Sequence, residues 1–221
     1  MLDAVIFDVD GTLVDSVDFH AEAWSRAFAH FGHTVSVGDA RSQIGKGGDQ
    51  LLPMFLPDDL VERQGKDIEA FRKDLFTREY MHRVKGFPQV RALFDRLIAD
   101  GKRVALASSA KGDELAAYKK AAGIDDLDLC ETSSDDAERS KPHPDIFQAA
   151  LDRLKLPAKT CVVVGDTPYD AEAAQKAGIR TTGVLCGGFP EFDIRSGGAS
   201  QIYEDPADLL DHYKRWMTEL G

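Results

Sequence analysis

Three aspartates in this sequence are placed where they could bind a metal ion together. Asp8 and Asp166 each follow a short apolar run, and Asp10 lies two residues beyond Asp8. Residues two apart on an extended backbone point to the same side, so Asp8 and Asp10 face one way. Carboxylates this close repel each other unless a proton or a cation lies between them. Mg²⁺ suits such a set, because it prefers a few carboxylates together with waters and a substrate phosphate.

Hydroxyl and amino groups elsewhere in the chain could hold the oxygens of a phosphate. Ser108 and Ser109 follow another apolar run, and Lys141 precedes a proline. Such groups, with backbone N–H groups, bind phosphoryl oxygens, and a carboxylate that attacks phosphorus forms an aspartyl-phosphate. Each group alone is more typical of a solvated strand end, a turn, a surface lysine or a helix cap. Their joint occurrence at predicted strand ends favours a catalytic site.

The apolar runs and the segments between them predict an α/β fold. Short runs rich in β-branched residues fit strands buried on both faces, and they occupy residues 4–7, 103–107, 127–130, 161–164 and 181–185. Helical patterns lie at 90–98, 115–122, 146–154 and 171–177, and a last helix is expected from about residue 206 after a glycine-flanked loop. This alternation predicts a Rossmann-like parallel sheet, whose carboxyl-terminal strand ends would bring the polar residues into one pocket.

One interval, residues 15–85, interrupts the alternation. It contains no convincing strand, and its patterns indicate helices at about 16–31, 49–55 and 58–82, with a glycine-rich loop around Gly45, Gly47 and Gly48. The sequence therefore predicts an α/β core formed by residues 1–14 and 86–221, with an inserted helical domain between them.

Composition excludes several classes of protein. The chain has 221 residues, 38 acidic and 27 basic side chains, and a formal net charge of −11. This acidity argues against non-specific binding to nucleic acid or to an anionic membrane, although a small anionic substrate is possible where positive charge is concentrated. No apolar run approaches the ~20 residues that cross a bilayer, and the N-terminus lacks the basic start of a secretory signal. Three cysteines without paired spacing indicate a reducing compartment, so we expect a cytoplasmic protein.

The polar groups together resemble a known family. Residues 8–16, Asp-Val-Asp-Gly-Thr-Leu-Val-Asp-Ser, closely resemble the first signature of the haloacid dehalogenase-like (HAD) superfamily. Ser108, Lys141 and residues 165–170, Gly-Asp-Thr-Pro-Tyr-Asp, match its second, third and fourth signatures in order. The resemblance covers essentially the whole chain, and the helical insertion looks like the small helical cap of the family. It is strongest to phosphoglycolate-phosphatase-like and β-phosphoglucomutase-like enzymes.

The resemblance implies a role for each core residue. Asp8 would be the nucleophile and a Mg²⁺ ligand, and Asp10 the general acid and base, with its backbone carbonyl on the metal. Ser108 and the amide of Ser109 would hold the phosphoryl group, and Lys141 would stabilise the charge on the phosphate and on Asp8.

Two further aspartates receive roles from the same resemblance. Asp166 would be a metal ligand, and Asp170 would orient a water on the metal. The second aspartate of the first pair, Asp10, favours phosphoryl transfer over carbon–halogen cleavage, because a leaving alkoxide needs a proton and a halide does not.

Residues of the predicted cap are candidates for substrate contact. His20 and Trp24 lie four apart and so share one face of a helix. For His20, substrate contact and packing between cap and core are both open, and Trp24 fits packing better. The loop 44–49 resembles the substrate-specificity loop of the family, so Lys46 and Gly47 are candidate contacts, although Lys46 could also be solvated.

The sequence thus predicts a Mg²⁺-dependent phosphatase of a small phosphorylated metabolite, acting as a monomer or homodimer. The alternative is a sugar-phosphate mutase with the same aspartyl-phosphate. Mutase relatives carry an arginine in the loop where this chain has Gly47-Gly48, and here only Lys46 lies nearby. A lysine cannot form the two-pronged contact of arginine with a phosphate, which weakens the mutase alternative.

Overall fold

A six-stranded parallel sheet forms the centre of the protein in the computed structural model, which describes residues 2–110 and 112–221. Met1, the first residue of the predicted segment 1–14, lies outside these ranges. The strands of the chain are β1 (Ala4–Phe7), β2 (Val14–Asp15), β3 (Lys85–Gly86), β4 (Arg103–Ala107), β5 (Cys130–Thr132), β6 (Cys161–Gly165), β7 (Arg180–Val184) and β8 (Ala199–Tyr203). The sheet has the order β5-β4-β1-β6-β7-β8, and every neighbouring pair is parallel. The predicted α/β fold is confirmed.

Helices cover both faces of this sheet and fill the insertion. They are α1 (Val17–His30), α2 (Val37–Arg41), α3 (Gly48–Leu51), α4 (Asp58–Glu79), α5 (Val90–Ala99), α6 (Asp113–Ala121), α7 (Asp145–Leu154), α8 (Pro168–Lys176), α9 (Glu191–Gly197), α10 (Pro206–Asp211) and α11 (Tyr213–Leu220). No helix within the described ranges is both long enough and apolar enough to span a membrane.

Two apolar clusters explain why the strand sequences are continuously apolar. Successive strand residues point to opposite faces, so Val5 and Phe7 pack in one cluster while Ala4 and Ile6 pack in the other. The first cluster includes side chains of α5, α6, α10 and α11, and the second includes side chains of α7 and α8. Each central strand is therefore buried on both sides, as parallel strands usually are.

The insertion has an apolar cluster of its own, formed by residues of α1 to α4 and their connections. Its two ends pair in a short antiparallel ribbon, in which Val14 lies opposite Gly86 and Asp15 opposite Lys85. The sequence predicted no strand in 15–85, and this ribbon of β2 and β3 is a departure at the ends of that interval. It holds the entering and leaving chains side by side next to β1.

Several other elements differ from the prediction. The third predicted strand, 127–130, is displaced to Cys130–Thr132, because Leu127 lies in a turn in which its N–H donates to the carbonyl of Ile124. The segment expected to be a loop contains α9 and the edge strand β8, and α2 was not predicted. The expected last helix is interrupted at His212 and forms α10 and α11.

Candidate active site

The predicted catalytic residues of the core meet beside β1, where the order in which strands are added to the sheet changes from one side of β1 to the other. β1 lies between β4 and β6, and Phe7 is level with Leu106 on one side and Val164 on the other. Ligands in open α/β sheets bind at the carboxyl ends of the strands at such a point. Asp8 follows the last residue of β1, Ser108 that of β4 and Asp166 that of β6. The strand register therefore brings the three residues together.

A buried lysine joins two of the carboxylates. Lys141 Nζ lies 2.5 Å from Asp8 Oδ1 and 2.7 Å from Asp170 Oδ1, and its side chain is 5% exposed. Nζ also donates to the carbonyl of Ala107 at the end of β4, at 3.4 Å. Asp170 is held in turn by the first turn of α8, where its carboxylate accepts hydrogen bonds from the N–H and hydroxyl of Thr167. The ammonium of Lys141 is therefore fixed between the first and fourth signatures.

Asp166 completes the acidic cluster, and a single one of its two carboxylate oxygens has a hydrogen-bond partner among the described residues. Its Oδ1 accepts a hydrogen bond of 2.9 Å from Thr12 Oγ1, while Oδ2 is buried without a hydrogen-bond partner among the described residues. Two glycines allow the backbone to approach this oxygen, because a Cβ atom would lie 2.3 Å from Oδ2 at Gly11 and 1.7 Å from it at Gly187. Any larger residue at these two positions would displace the carboxylate.

The electrostatics of the cluster show an excess of negative charge. Burial, followed by the charges of Asp170 and Asp10, raises the pKa of Asp8 to about 7 in spite of Lys141. Burial and the charges of Asp8 and Asp170 also raise the pKa of Asp166 well above its usual value. Although burial favours the neutral amine, Asp170 and Asp8 raise the pKa of Lys141, which stays charged. Three buried carboxylates thus share one ammonium.

A divalent cation would balance this charge. Carboxylate oxygens of Asp8, Asp166 and Asp170 lie within 4.8 Å of one another, and the free oxygen of Asp166 is the kind of hard ligand that Mg²⁺ prefers. The residues present therefore fit the metal that the sequence predicts. The cluster contains the side chain of Asp170, whereas the side chain of Asp10 points elsewhere, which is compatible with the expectation that Asp10 contributes its backbone carbonyl.

Asp10 faces the insertion rather than the acidic cluster. Its Oδ1 accepts a hydrogen bond from Ser16 Oγ at 2.6 Å and lies 2.9 Å from His20 Nε2. Burial disfavours the ionised carboxyl, but the His20 ring and the hydroxyls of Ser16 and Tyr118 outweigh this effect and lower the pKa of Asp10. Two carboxylates two residues apart, Asp8 and Asp10, thus have pKa values shifted in opposite directions, as is typical of groups with different catalytic roles.

His20 packs between the insertion and the core and also faces the cavity, so its contact with substrate stays a prediction. Its ring stacks on Phe76 at 4.0 Å between centroids, with an interplanar angle of 4°, and it also lines the cavity above Asp8. Its Nε2 lies 2.9 Å from the hydroxyl of Tyr118, and its Nδ1 lies 3.4 Å from Arg72 Nη1. His20 therefore packs between insertion and core while contacting Asp10.

The two serines after β4 differ in exposure. Ser108 is fully buried, and its Oγ accepts a hydrogen bond of 3.0 Å from the N–H of Ala110. Ser109 is exposed and lines a cavity of about 570 Å³ together with Asp8, Asp10 and residues of the insertion. Ser109 therefore faces the cavity that Asp8 and Asp10 line, whereas Ser108 is buried beside it in the sequence.

The glycine-rich loop of the insertion lies directly against the core. A Cβ atom at Gly47 would lie 2.0 Å from Ser140 Oγ, and Asp49 Oδ2 accepts a hydrogen bond from the N–H of Ser140 at 3.1 Å. Lys46 lines the cavity, but its Nζ donates to Gln43 Oε1 at 2.6 Å and lies 4.6 Å from the ring centroid of Tyr169. The amino group of Lys46 thus has partners within the protein.

Helix α4 contributes cations to the cavity that sequence reasoning missed. Lys66, Arg72 and Lys73 all line it, so the cavity contains cations besides Lys46, the one that the loop sequence supplies. Tyr118 on α6 was also missed. The cations of a long charged helix are indistinguishable by sequence from a solvated face, because the rotation of the helix against the core decides which of them enter the cavity.

Comparison with known proteins identifies the family. The sequence profile described as haloacid dehalogenase-like hydrolase matches residues 5–184. The chain belongs to this family. It is 34% identical over 223 residues to a phosphoglycolate phosphatase from Yersinia pestis, covering 98% of this chain and 92% of that protein. It is 33% identical over 214 residues to Suppressor of quenching 1, a chloroplastic protein of Arabidopsis thaliana, covering 93% of this chain and 20% of that longer protein.

A solved structure supports the same assignment. A hydrolase from Pseudomonas syringae has a TM-score of 0.85 and 28% sequence identity to this chain, covering 96% of this chain and 98% of the other. The predicted family and fold are confirmed, and the protein is a hydrolase of the HAD family.

Proposed function

We propose that this HAD hydrolase is a Mg²⁺-dependent phosphatase that acts on a small phosphorylated metabolite through an aspartyl-phosphate at Asp8. The observation that carries the proposal is the placement of Asp8, which is held by Lys141 at the base of a cavity and lies beside two further buried carboxylates. The similarity to a phosphoglycolate phosphatase over nearly the full length of both chains supports the same reaction class.

The proposed metal would be held by Asp8, Asp166 and the backbone carbonyl of Asp10. When bound there, Mg²⁺ would neutralise the acidic cluster and polarise a phosphoryl oxygen. Thr12 keeps the site in shape, because its hydroxyl donates to Asp166 Oδ1 at 2.9 Å and lies 3.4 Å from Asp8 Oδ2.

In the first step, a carboxylate oxygen of Asp8 attacks phosphorus and the bond to the ester oxygen breaks. Lys141 and the loop of Ser108 and Ser109 hold the remaining phosphoryl oxygens and stabilise their charge. Asp10 donates a proton to the leaving oxygen, and His20, 2.9 Å away, can share the proton with it.

In the second step, water attacks phosphorus of the aspartyl-phosphate. Asp10, now ionised, accepts the proton of that water, and its carboxylate is oriented by hydrogen bonds from Ser16 and His20. The products are inorganic phosphate and the regenerated carboxylate of Asp8. We propose that the insertion, residues 15–85, is a cap that covers the cavity during both steps and limits the entry of other water.

A phosphate-release screen over metabolite phosphates tests this proposal. The wild type is assayed with Mg²⁺ and with EDTA, beside Asp8→Asn, whose amide cannot act as the nucleophile. We expect release that depends on Mg²⁺ and falls by several orders of magnitude in Asp8→Asn. A variant that retains more than about a hundredth of the wild-type rate would contradict the covalent role of Asp8.

A sugar-phosphate mutase is the second candidate, and one observation favours it. Arg72 reaches the cavity from α4, so the cavity contains a guanidinium that could bind the distal phosphate of a bisphosphate intermediate. The two candidates are separated with β-glucose 1-phosphate and a trace of glucose 1,6-bisphosphate. A phosphatase releases free phosphate, whereas faster accumulation of glucose 6-phosphate would support the mutase.

A further inference from the structure

We propose that Arg72 determines specificity by binding a second anionic group of the substrate, either a carboxylate or a phosphate. This inference rests on the proposed phosphatase function, because it takes the transferred phosphoryl group to lie at Asp8. It differs from the sequence-based expectation, which assigned contact with a distal group to the loop residue Lys46.

Positive charge in the cavity comes from the insertion. Among the described residues, the lysine and arginine side chains that line the cavity are Lys46, Lys66, Arg72 and Lys73. Three of them lie on α4, and Lys66 and Lys73 share one face because they are two helical turns apart. In a chain of net charge −11, whose acidic side chains also line this cavity at Asp49, Glu69, Glu114 and Glu138, these four cations are the groups through which the cavity would hold an additional anion.

Arg72 is the cation of this group that is most constrained. Its side chain is 20% exposed, and its guanidinium carbon lies 5.3 Å from the ring centroid of Trp24. Its Nη1 lies 3.4 Å from His20 Nδ1 and 3.8 Å from Glu114 Oε1, so the contact with Glu114 is longer than a hydrogen bond.

Arg72 has more N–H donors than there are acceptor atoms found for them among the described residues. An arginine offers five N–H donors in a fixed plane, and Nε of Arg72 is buried without an acceptor among the described residues. Buried polar groups in proteins nearly always have a partner. An anion with two oxygens in one plane is the ligand that such a fork binds best.

The lysines fit the role less well. Lys46 already contacts Gln43 and Tyr169, and burial lowers the pKa of its amino group. Lys66 and Lys73 are exposed, and an exposed ammonium is a strongly hydrated point charge on a flexible stem. Arg72, packed on Trp24, is ordered before the substrate arrives, so less side-chain entropy is lost when an anion binds.

Matched pairs of esters test the proposal. The carboxylate arm compares 2-phosphoglycolate with ethyl phosphate, and the phosphate arm compares 1,3-propanediol bisphosphate with 1,3-propanediol monophosphate. Values of kcat and KM are measured for the wild type, Arg72→Ala, Arg72→Lys and the control Arg78→Ala. Arg78 lies on the same helix but is exposed, pairs with Asp74 and does not line the cavity.

We expect the wild type to prefer the ester with the second anion in at least one arm, and the arm identifies which anion is recognised. In Arg72→Ala the ratio of kcat/KM between the two members should fall by about ten- to a hundredfold, the usual effect of losing a hydrogen bond to a charged group. Most of this fall should be in KM. Arg72→Lys should recover part of the ratio, and Arg78→Ala should leave it unchanged.

Three outcomes would overturn the proposal or its basis. If the wild type shows no preference within either pair, the cavity does not recognise a second anion. If Arg72→Ala slows both members of a pair equally, Arg72 acts through His20 on Asp10 and does not bind the substrate. If the wild type hydrolyses no ester in the pairs or in the broader screen, the proposed phosphatase function itself fails.

Discussion

The metal-free protein should lose stability as the pH rises, and Asp8→Asn should prevent much of this loss. Burial, followed by repulsion from Asp170 and Asp10, raises the pKa of Asp8 from 3.8 to about 7. The native state therefore keeps a proton on Asp8 that the unfolded chain releases. For a carboxyl whose pKa is raised by folding, this contribution to stability is present below about pH 4 and is lost as the pH rises through 7.

The size of the effect follows from the difference between the two pKa values. A rise from 3.8 to about 7 corresponds to about 4 kcal/mol, because each pKa unit is worth about 1.4 kcal/mol. That is a large part of the roughly 5–15 kcal/mol that stabilises a typical domain. The pKa of Asp166 is raised by the same causes, burial and the neighbouring carboxylates, so its ionisation adds to the loss.

Urea unfolding in EDTA between pH 4 and pH 8 measures this effect. The free energy of unfolding of Asp8→Asn should nearly equal that of the wild type at pH 4 and exceed it by about 4 kcal/mol above pH 7. The control is Asp128→Asn, at an exposed loop position, which should follow the wild type. Excess Mg²⁺ should restore the wild type more than Asp8→Asn. A difference between wild type and Asp8→Asn that does not change with pH would refute the reasoning.

Three further perturbations probe the metal site, Asp10 and the insertion. Thr12→Val removes the hydroxyl that donates to Asp166, so titration calorimetry should show Mg²⁺ affinity about 10- to 100-fold weaker, and unchanged affinity would be contrary to the proposed site. Ser16→Ala removes a hydrogen bond that lowers the pKa of Asp10. In a plot of kcat against pH, the limb that Asp10 controls should therefore move to higher pH, and an unchanged limb would contradict this role of Ser16. Beryllium fluoride with Mg²⁺ should slow hydrogen exchange at 14–17 and 85–88, and equal exchange with and without it would indicate a static insertion.

The strands that position the candidate catalytic residues were predictable from the sequence, because the signal for each strand lies within its own residues. β1, β4 and β6 are central strands buried on both faces, so each appears as a continuous apolar run. The carboxyl ends of parallel neighbours lie at one edge of the sheet, so the proximity of Asp8, Ser108 and Asp166 follows once these runs are recognised as strands. The antiparallel ribbon and β8 were missed because two-residue strands and a polar edge strand lack such a run.

The residues of the cavity wall depend on packing that the sequence does not encode locally. Arg72 lies on α4 between the buried positions Ile68 and Phe76, and a small rotation of the helix would turn it to solvent. Tyr118 follows ordinary helical spacing and is apolar enough to be assigned to the core, where it is indeed fully buried. Its hydroxyl contact with His20 arises only when α1 of the insertion meets α6 of the core.

The contacts of the two proposed catalytic aspartates come largely from different parts of the chain. Asp8 is held by Lys141 and Thr12, which belong to the core, so these two contacts do not depend on the position of the insertion. Asp10 is held by Ser16 and His20, which lie beyond β2 in the insertion. Movement of the insertion about the ribbon of β2 and β3 would therefore remove Ser16 and His20, two of the groups that lower the pKa of Asp10, and would leave Tyr118 of the core in place. Under the proposed mechanism, attack on phosphorus would then need only the core, whereas orientation of Asp10 for proton transfer would need Ser16 and His20 of the insertion in contact with Asp10.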